Sequence, residues 1–340
     1  MNNRFFVRAD GNGEIGLGHI MRSMTIANEF RKNGFECIYI SSKPISLDIF
    51  NRYSFDVVEI DYPYDSKSIS EAMFISRLLN KQDYILVDSY YTKNEYLSIL
   101  KEAARLICIN STTNRLTTDY LINENLACDR DFLGELYSGS DTKLLLGPEY
   151  SPIREEFLNV DFHVRTCAKT VLITTGGGDY YNFMGRFIEK IRYDQDFMNI
   201  NFICVSGACN DHLSDLIRAT DGLDNVSVIQ NPSNMAELMK ICDFAISGGG
   251  TTVLELSVVG VPTIGIAIAD DQEAGLSFMS HVGMIKYVGR INKKGFWENL
   301  LKEFDSMKID YEMRKTMSLK ASNCIDGYGA KRIYEQVVGV

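Results

Sequence analysis

Short apolar runs separated by helix-length segments constrain this chain more than any other feature. A first series lies at 5–9, 37–42, 57–60, 84–88, 106–109, 120–123 and 143–146. A second lies at 170–174, 201–205, 226–229, 244–246, 263–267 and 285–288. Helical patterns fill the gaps, including 20–32, 66–79, 93–104, 234–242 and 252–259. Near-continuous apolar strands alternating with helices form parallel sheets covered on both faces. Two such series in 340 residues predict two doubly wound, Rossmann-like α/β domains. The predicted domains are 1–155 and 156–340, joined through 147–168, where Pro148 and Pro152 precede the charged cluster Arg154-Glu155-Glu156. A final helical stretch, 326–338, lies beyond the last strand and is free to pack back across the first domain.

Composition narrows the partners. The net charge is −10, which disfavours nucleic acid and anionic membrane surfaces. An anionic substrate must then be held by local dipoles and a few cations. The eight cysteines form no C-x-x-C pair and sit mostly in apolar runs, as in Phe35-Glu36-Cys37-Ile38. They read as reduced thiols of a cytoplasmic protein, with neither a disulfide framework nor a zinc site. The residues after Met1 lack the apolar core of a signal peptide. The longest apolar candidate, 258–269, is too short to span a bilayer and contains Gly and Pro. No long apolar stripe is left over, which favours a monomer.

The chemistry concentrates where apolar runs end. The first turn, Arg8-Ala9-Asp10-Gly11-Asn12-Gly13-Glu14-Ile15-Gly16-Leu17-Gly18-His19-Ile20-Met21-Arg22, opens a helix. Gly16 and Gly18 let backbone approach a ligand closely, and a helix N-terminus attracts anions. A neutral imidazole at His19 would be a base beside a phosphorylated substrate; the bland alternative is an ordinary β-loop-α connection. After another strand come Gly248-Gly249-Gly250-Thr251-Thr252 and, one helical turn on, Glu255. Here backbone N–H groups and Thr hydroxyls suit phosphate, and Glu255 suits ribose hydroxyls. The competing reading is a capping box between Thr252 and Glu255. Asp270-Asp271-Gln272 ends a further strand and offers either sugar contacts or a helix cap. Thr174-Thr175-Gly176-Gly177-Gly178-Asp179 is a third glycine turn and not a Walker loop, because no Gly-Lys-Ser/Thr follows. Val87-Asp88-Ser89-Tyr90 places a carboxylate and an aromatic ring after a buried strand, to orient substrate or a catalytic partner. His163, His212 and His281 have no partner spacing, and no H-E-x-x-H or G-x-S-x-G occurs.

Taken together these motifs resemble the UDP-2,4-diacetamido-2,4,6-trideoxy-β-L-altropyranose hydrolases of pseudaminic acid synthesis, enzymes of the GT-B fold, whose two domains face across a cleft. The resemblance is carried by Arg8-Ala9-Asp10, Ile15-Gly16-x-Gly18-His19, Met21-Arg22 and Val87-Asp88-Ser89-Tyr90. It continues through Leu146-Gly147-Pro148-Glu149-Tyr150, Gly177-Gly178-Asp179, Asn234-Met235-Ala236-Glu237, Gly249-Gly250-Thr251-Thr252 with Glu255, and Asp326-Gly327-x-Gly329-Ala330-x-Arg332-Ile333.

It implies hydrolysis of the UDP-sugar at the anomeric carbon with C–O cleavage and inversion, in the biosynthesis of a bacterial surface glycan. His19 would activate water, and Asp10 would orient His19 or grip the sugar. Gly16, Gly18, Gly249, Gly250, Thr251 and Thr252 would serve the diphosphate, with Arg22, Asp88, Tyr90, Gly177, Glu255, Asp271 and Gln272 as further substrate contacts. Uracil would lie near Ile229 to Met235. No cofactor or metal is implied. One departure stands out: the family's Asn-Gln pair is Asp271-Gln272 here. An ionised Asp accepts hydrogen bonds but cannot donate, which bears on the choice of sugar. The alternatives are a GT-B glycosyltransferase with a UDP-sugar donor, or a hydrolase of another nucleotide sugar. A lipid-linked acceptor would want a basic, apolar face near the first turn, where Glu14 is acidic and Ile15 is the one large apolar residue.

Overall fold

The computed structural model describes residues 3–12, 16–43, 47–111 and 113–340; Gly13, Glu14 and Ile15 of the first turn lie outside these. The chain divides into two compact units. One is Met1–Ile153 together with Tyr328–Val340, and the other is Arg154–Gly327.

The first unit carries β1 (Arg4–Ala9), α1 (Gly18–Lys32), β2 (Glu36–Ser42), α2 (Leu47–Arg52), β3 (Asp56–Ile60), α3 (Ile69–Ser76) and β4 (Tyr84–Asp88). It continues with α4 (Asn94–Ala103), β5 (Arg105–Ile109), β6 (Tyr120–Asn123), α5 (Arg130–Leu136) and β7 (Lys143–Leu146). Its seven strands are parallel in the order β3-β2-β1-β4-β5-β6-β7. Period-two alternation splits β1 between two cores. Phe5, Val7 and Ala9 join Phe30, Tyr39, Leu86 and Ile107 on one face. Phe6 joins Ile40, Ile85, Tyr96 and Leu97 on the other. Arg8 shares the parity of Phe6, so a guanidinium is directed into an apolar layer.

The second unit carries β8 (Thr170–Thr174), α6 (Phe183–Ile191), β9 (Asn201–Ser206), α7 (Leu213–Ala219), β10 (Val226–Gln230), α8 (Met235–Ile241) and β11 (Phe244–Gly248). It ends with α9 (Thr251–Val259), β12 (Thr263–Ala267), α10 (Gln272–His281), β13 (Lys286–Arg290), α11 (Phe296–Ile309) and α12 (Tyr311–Cys324). Its six strands are parallel in the order β10-β9-β8-β11-β12-β13. Phe187, Phe197, Phe202, Phe244 and Phe304 form its aromatic centre.

The last helix, α13 (Gly329–Val338), belongs to the first unit. Tyr334 meets Phe30 edge to face at 5.1 Å, and Arg332 donates to the Glu149 carbonyl at 3.0 Å. A Cβ on Gly329 would sit 2.2 Å from the Ser151 carbonyl oxygen, so this approach requires glycine. Glu149, Gly329 and Arg332, in the motifs that the sequence singled out, therefore serve to dock this helix. In both sheets the strand order reverses once, at β1/β4 and at β8/β11. Open parallel sheets bind ligands outside the carboxyl ends of their strands at such points.

Candidate active site

At the first reversal, Ala9 of β1 lies opposite Asp88 of β4. The turn after β1 leads into α1, and this brings His19 and Asp88 together across 69 residues of sequence. His19 Nδ1 is 2.6 Å from Asp88 Oδ1. Arg22, one turn further along α1, donates from Nε to Asp88 Oδ2 at 2.6 Å and from Nη2 to Oδ1 at 2.5 Å. Its Nη1 reaches Glu124 at 3.0 Å. Burial pushes the Asp88 carboxyl up, but Arg22 and His19 outweigh this and hold it at about 2. An ionised carboxylate only accepts, so His19 Nδ1 carries a hydrogen. Arg22 Nη2, 3.1 Å from Nδ1, is then a neighbour sharing Oδ1 and not a donor to the ring. In the neutral ring this fixes the tautomer, with Nε2 as the acceptor. Among the described residues no side chain hydrogen-bonds Nε2.

Asp10 lines the same small pocket as His19, with Tyr64, Asp88, Ser89, Tyr90 and Tyr91. It is not the partner of His19. Its Oδ1 accepts from Arg8 Nη1 at 2.6 Å and from the Ser42 N–H at 2.8 Å, and its Oδ2 accepts from Lys67 Nζ at 2.8 Å. Burial pushes Asp10 up, and Arg8 and Lys67 bring it down to about 2. Arg8 also donates to Glu71 Oε1 at 2.7 Å and to Ser42 Oγ at 2.7 Å, while Tyr96 donates to the same Glu71 oxygen at 3.0 Å. Of the two roles the sequence left open for Asp10, orienting the imidazole falls to Asp88. Lys67, Glu71 and Glu124 were not foreseen. The signal for Glu71 was Arg8 itself, because a charge within an apolar strand needs a buried partner, whereas Lys67 pairs with Asp10 and Glu124 with Arg22.

Tyr90 packs its ring edge-on to His19 at 4.6 Å. Gly16 takes φ +71° and donates to the Asn12 carbonyl at 2.9 Å, while Gly18 is the first residue of α1. The first turn of α1 has no side-chain cap and no acidic residue, so its N–H groups suit an anion.

At the second reversal the turn after β11 leads into α9. Gly250 is the N-cap, no side chain caps this helix, and its first turn also lacks an acidic residue. The competing reading, a capping box between Thr252 and Glu255, does not form: α9 begins at Thr251, and Glu255 Oε1 accepts from Arg154 at 3.0 Å. Burial pushes the Glu255 carboxyl up against the pull of Arg154. Gln272 crosses from α10, and its Oε1 accepts from the N–H groups of Gly249 at 3.2 Å and Ile268 at 3.0 Å. Gly249, expected as a phosphate donor, is therefore already engaged, and Gly250, Thr251 and Thr252 remain. A Cβ on Gly248 would lie 3.2 Å from the Thr175 carbonyl oxygen, so the turn holding Gly177 abuts this one. Gly177 itself accepts from the Cys209 N–H at 2.8 Å. Met235 is buried at the start of α8, beyond β10. Asp271 is exposed at the start of α10 and caps nothing, whereas Asp270 pairs with Arg290. The structure thus gathers Asp10, His19, Arg22, Asp88 and Tyr90 in one unit, and Gly249, Gly250, Thr251, Thr252, Glu255 and Gln272 in the other. Among the described residues, no side-chain hydrogen bond or ion pair joins Met235 or Asp271 to either set.

Among the described residues no group of His, Cys, Asp and Glu could hold a metal ion, and no helix is long and apolar enough to cross a membrane.

No protein-family model matches the chain. An uncharacterised protein of Methanocaldococcus jannaschii is 26% identical over 267 residues, 75% of this chain and 54%, about half, of that protein. The spore coat polysaccharide biosynthesis protein SpsG of Bacillus subtilis is 21% identical over 333 residues, 96% of this chain and 95% of its own. The UDP-2,4-diacetamido-2,4,6-trideoxy-β-L-altropyranose hydrolase of Campylobacter jejuni is 22% identical over 282 residues, 81% of this chain and 96% of its own. Among solved structures, Acinetobacter baumannii MurG superposes with TM-score 0.68 at 12% identity, covering 99% of this chain and 100% of that one. A Neisseria meningitidis UDP-GlcNAc 2-epimerase bound to UDP-GlcNAc gives TM-score 0.65 at 14% identity, covering 99% and 100%. The fold is the GT-B fold, and the chain is a distant relative of SpsG and of UDP-sugar hydrolases.

Proposed function

We propose that this protein hydrolyses a UDP-sugar of the 2,4-diacetamido-2,4,6-trideoxy class, releasing UDP and the free sugar. The observation that carries this reading is the His19–Asp88 pair. It keeps the hydrogen of the neutral ring on Nδ1, so that Nε2 is the ring's acceptor, and holds the ring by a buried carboxylate already anchored on Arg22. In the step, Nε2 takes a proton as the water oxygen bonds to the anomeric carbon. The bond from that carbon to the UDP oxygen breaks, and UDP leaves with the electron pair. UDP is a good leaving group, so stabilising the charge that develops on the diphosphate matters more than a strong general acid. The uncapped start of α9 is suited to that charge. Asp10, its negative charge fixed by Arg8 and Lys67, would oppose positive charge growing on the sugar ring. The distant similarity to the Campylobacter jejuni hydrolase supports the same reaction.

A second sugar with the same chemistry is favoured by Asp271, an exposed acceptor where the resembled family has an amide. The test is to supply the UDP-sugar without acceptor and follow UDP and free sugar by NMR. The expected result is release of both, and a His19→Asn variant that binds UDP while losing about 10²–10⁴-fold in turnover. Release of UDP only after an acceptor is added would make the protein a transferase.

A further inference from the structure

Two clusters of charge meet at the His19 pocket, and they are balanced differently. Asp10 pairs with Arg8 and Lys67, and Arg8 also pairs with Glu71, so two carboxylates face two cations. Around His19, Asp88 and Glu124 are the two carboxylates, and Arg22 is the cation between them. With a neutral ring this second cluster carries one net negative charge, and a protonated ring brings it to zero.

The groups around the ring pull in opposite directions. Asp88, 2.6 Å from Nδ1, favours a charged ring. Arg22 opposes it: Nη2 lies 3.1 Å from Nδ1, and two bonds to Asp88 set the guanidinium charge directly against that carboxylate. The start of α1, where His19 is the second residue, also disfavours a cation. The rest of the pocket lining among the described residues is the phenols of Tyr64, Tyr90 and Tyr91, the Ser89 hydroxyl, and Asp10 with its own cations. Glu124 is the carboxylate that tips this balance to negative.

The fold places it there. Glu124 follows β6, two strands from β4 in the sheet, in a turn where the Asn123 side chain accepts from the Asn125 N–H at 3.1 Å. Its Oε1 accepts from Arg22 Nη1 at 3.0 Å. Its Oε2 is buried and has no hydrogen-bond partner among the described residues. Its charge is therefore opposed by one guanidinium, which Asp88 already shares.

We infer that Glu124 is a positioning residue for the proposed base, acting through Arg22: its charge offsets the guanidinium beside His19 and lets the ring take the proton that the attacking water gives up. This rests on His19 as the base of the proposed hydrolysis, but the charge balance itself is read without turnover.

The test titrates the four histidines of the full chain by NMR, with the His19 signal identified as the one missing from His19→Asn. Glu124→Gln keeps an oxygen for Arg22 and removes the charge. The His19 titration midpoint is expected to fall by about half to one pH unit. The acid limb of kcat/KM for acceptor-free UDP release from a UDP-2,4-diacetamido-2,4,6-trideoxy sugar should move to lower pH by the same amount, with kcat about two- to fivefold lower on the plateau. Glu124→Ala, which also removes the charge, should give the same fall and serves if the glutamine variant does not fold. Glu124→Asp keeps the charge and should hold the midpoint to within about 0.2 unit. A midpoint unmoved by removal of the charge, or moved as far by Asp as by Gln, would overturn the inference. A midpoint that moves as expected in a protein that releases no UDP would leave Glu124 in control of the ring's charge and remove the hydrolase reading.

Discussion

Asp88→Asn removes one charge beneath His19 and leaves the side chain's shape almost unchanged. The carboxylate is fully buried, lies 2.6 Å from His19 Nδ1 and takes two bonds from Arg22. Burial pushes its pKa up, yet Arg22 and His19 hold it at about 2 against an ordinary 3.8. That lowering, at about 1.4 kcal/mol per tenfold in proton affinity, corresponds to roughly 2–3 kcal/mol of stabilisation in the folded state. The variant also leaves Arg22, whose side chain is 18% exposed, with Glu124, 3.0 Å away, as its remaining carboxylate, and breaking a buried pair costs about 3–5 kcal/mol. The larger figure governs, and for a unit of this size it lowers Tm by roughly 10 °C. Catalysis should suffer separately. An amide no longer favours the Nδ1–H tautomer, and the comparable loss in a buried Asp–His pair is about 10⁴ in kcat. The assay is acceptor-free UDP release by the folded variant, with UDP affinity as a control and the ring tautomer read from imidazole nitrogen shifts. A folded Asp88→Asn protein with kcat within tenfold of wild type would refute the role given to this pair.

Two further outcomes follow from the same geometry. Asp10 and Asp88 both sit at about 2, below their unfolded values, so the stability they contribute is complete above about pH 4 and lost as pH falls through 2. Urea midpoints measured from pH 7 downward should therefore drop steeply between pH 4 and 2, and a flat profile there would contradict it. Gly249→Ala would place a Cβ 2.7 Å from Leu276 Cδ1 and 2.9 Å from Gln272 Cβ. It should cost about 1–3 kcal/mol in thermal unfolding and weaken UDP binding by shifting Gln272, and unchanged values of both would contradict the packing.

The strands were legible because most are buried on both faces and read as apolar runs. Their entries were less so. β1, β2, β3 and β5 each begin one residue early, on Arg4, Glu36, Asp56 and Arg105, polar residues held in the ladder by pairing and not by hydrophobicity. β11 runs on to Gly248 because that residue still pairs with Ile266. The glycine turns and His19 were also readable, since glycine and a helix start leave a local signature. The partner of His19 was not. Asp10 is nearer in sequence, but the reversal of strand order at β1/β4 sets Asp88 beside the turn, and no local pattern records which strands are neighbours. Gln272's bond to Gly249 was hidden for the same reason: it joins the ends of two adjacent strands through a helix start. Arg8 was visible as a charge in an apolar strand, but its partner Glu71 is 63 residues away, and only the fold supplies it.

The central claim is that water attacks the anomeric carbon with His19 Nε2 as base. Running the reaction to completion in ¹⁸O-labelled water and weighing both products tests it most directly. The label should appear in the free sugar, with UDP unlabelled. Label in the β-phosphate of UDP would mean attack at phosphorus and would contradict the account.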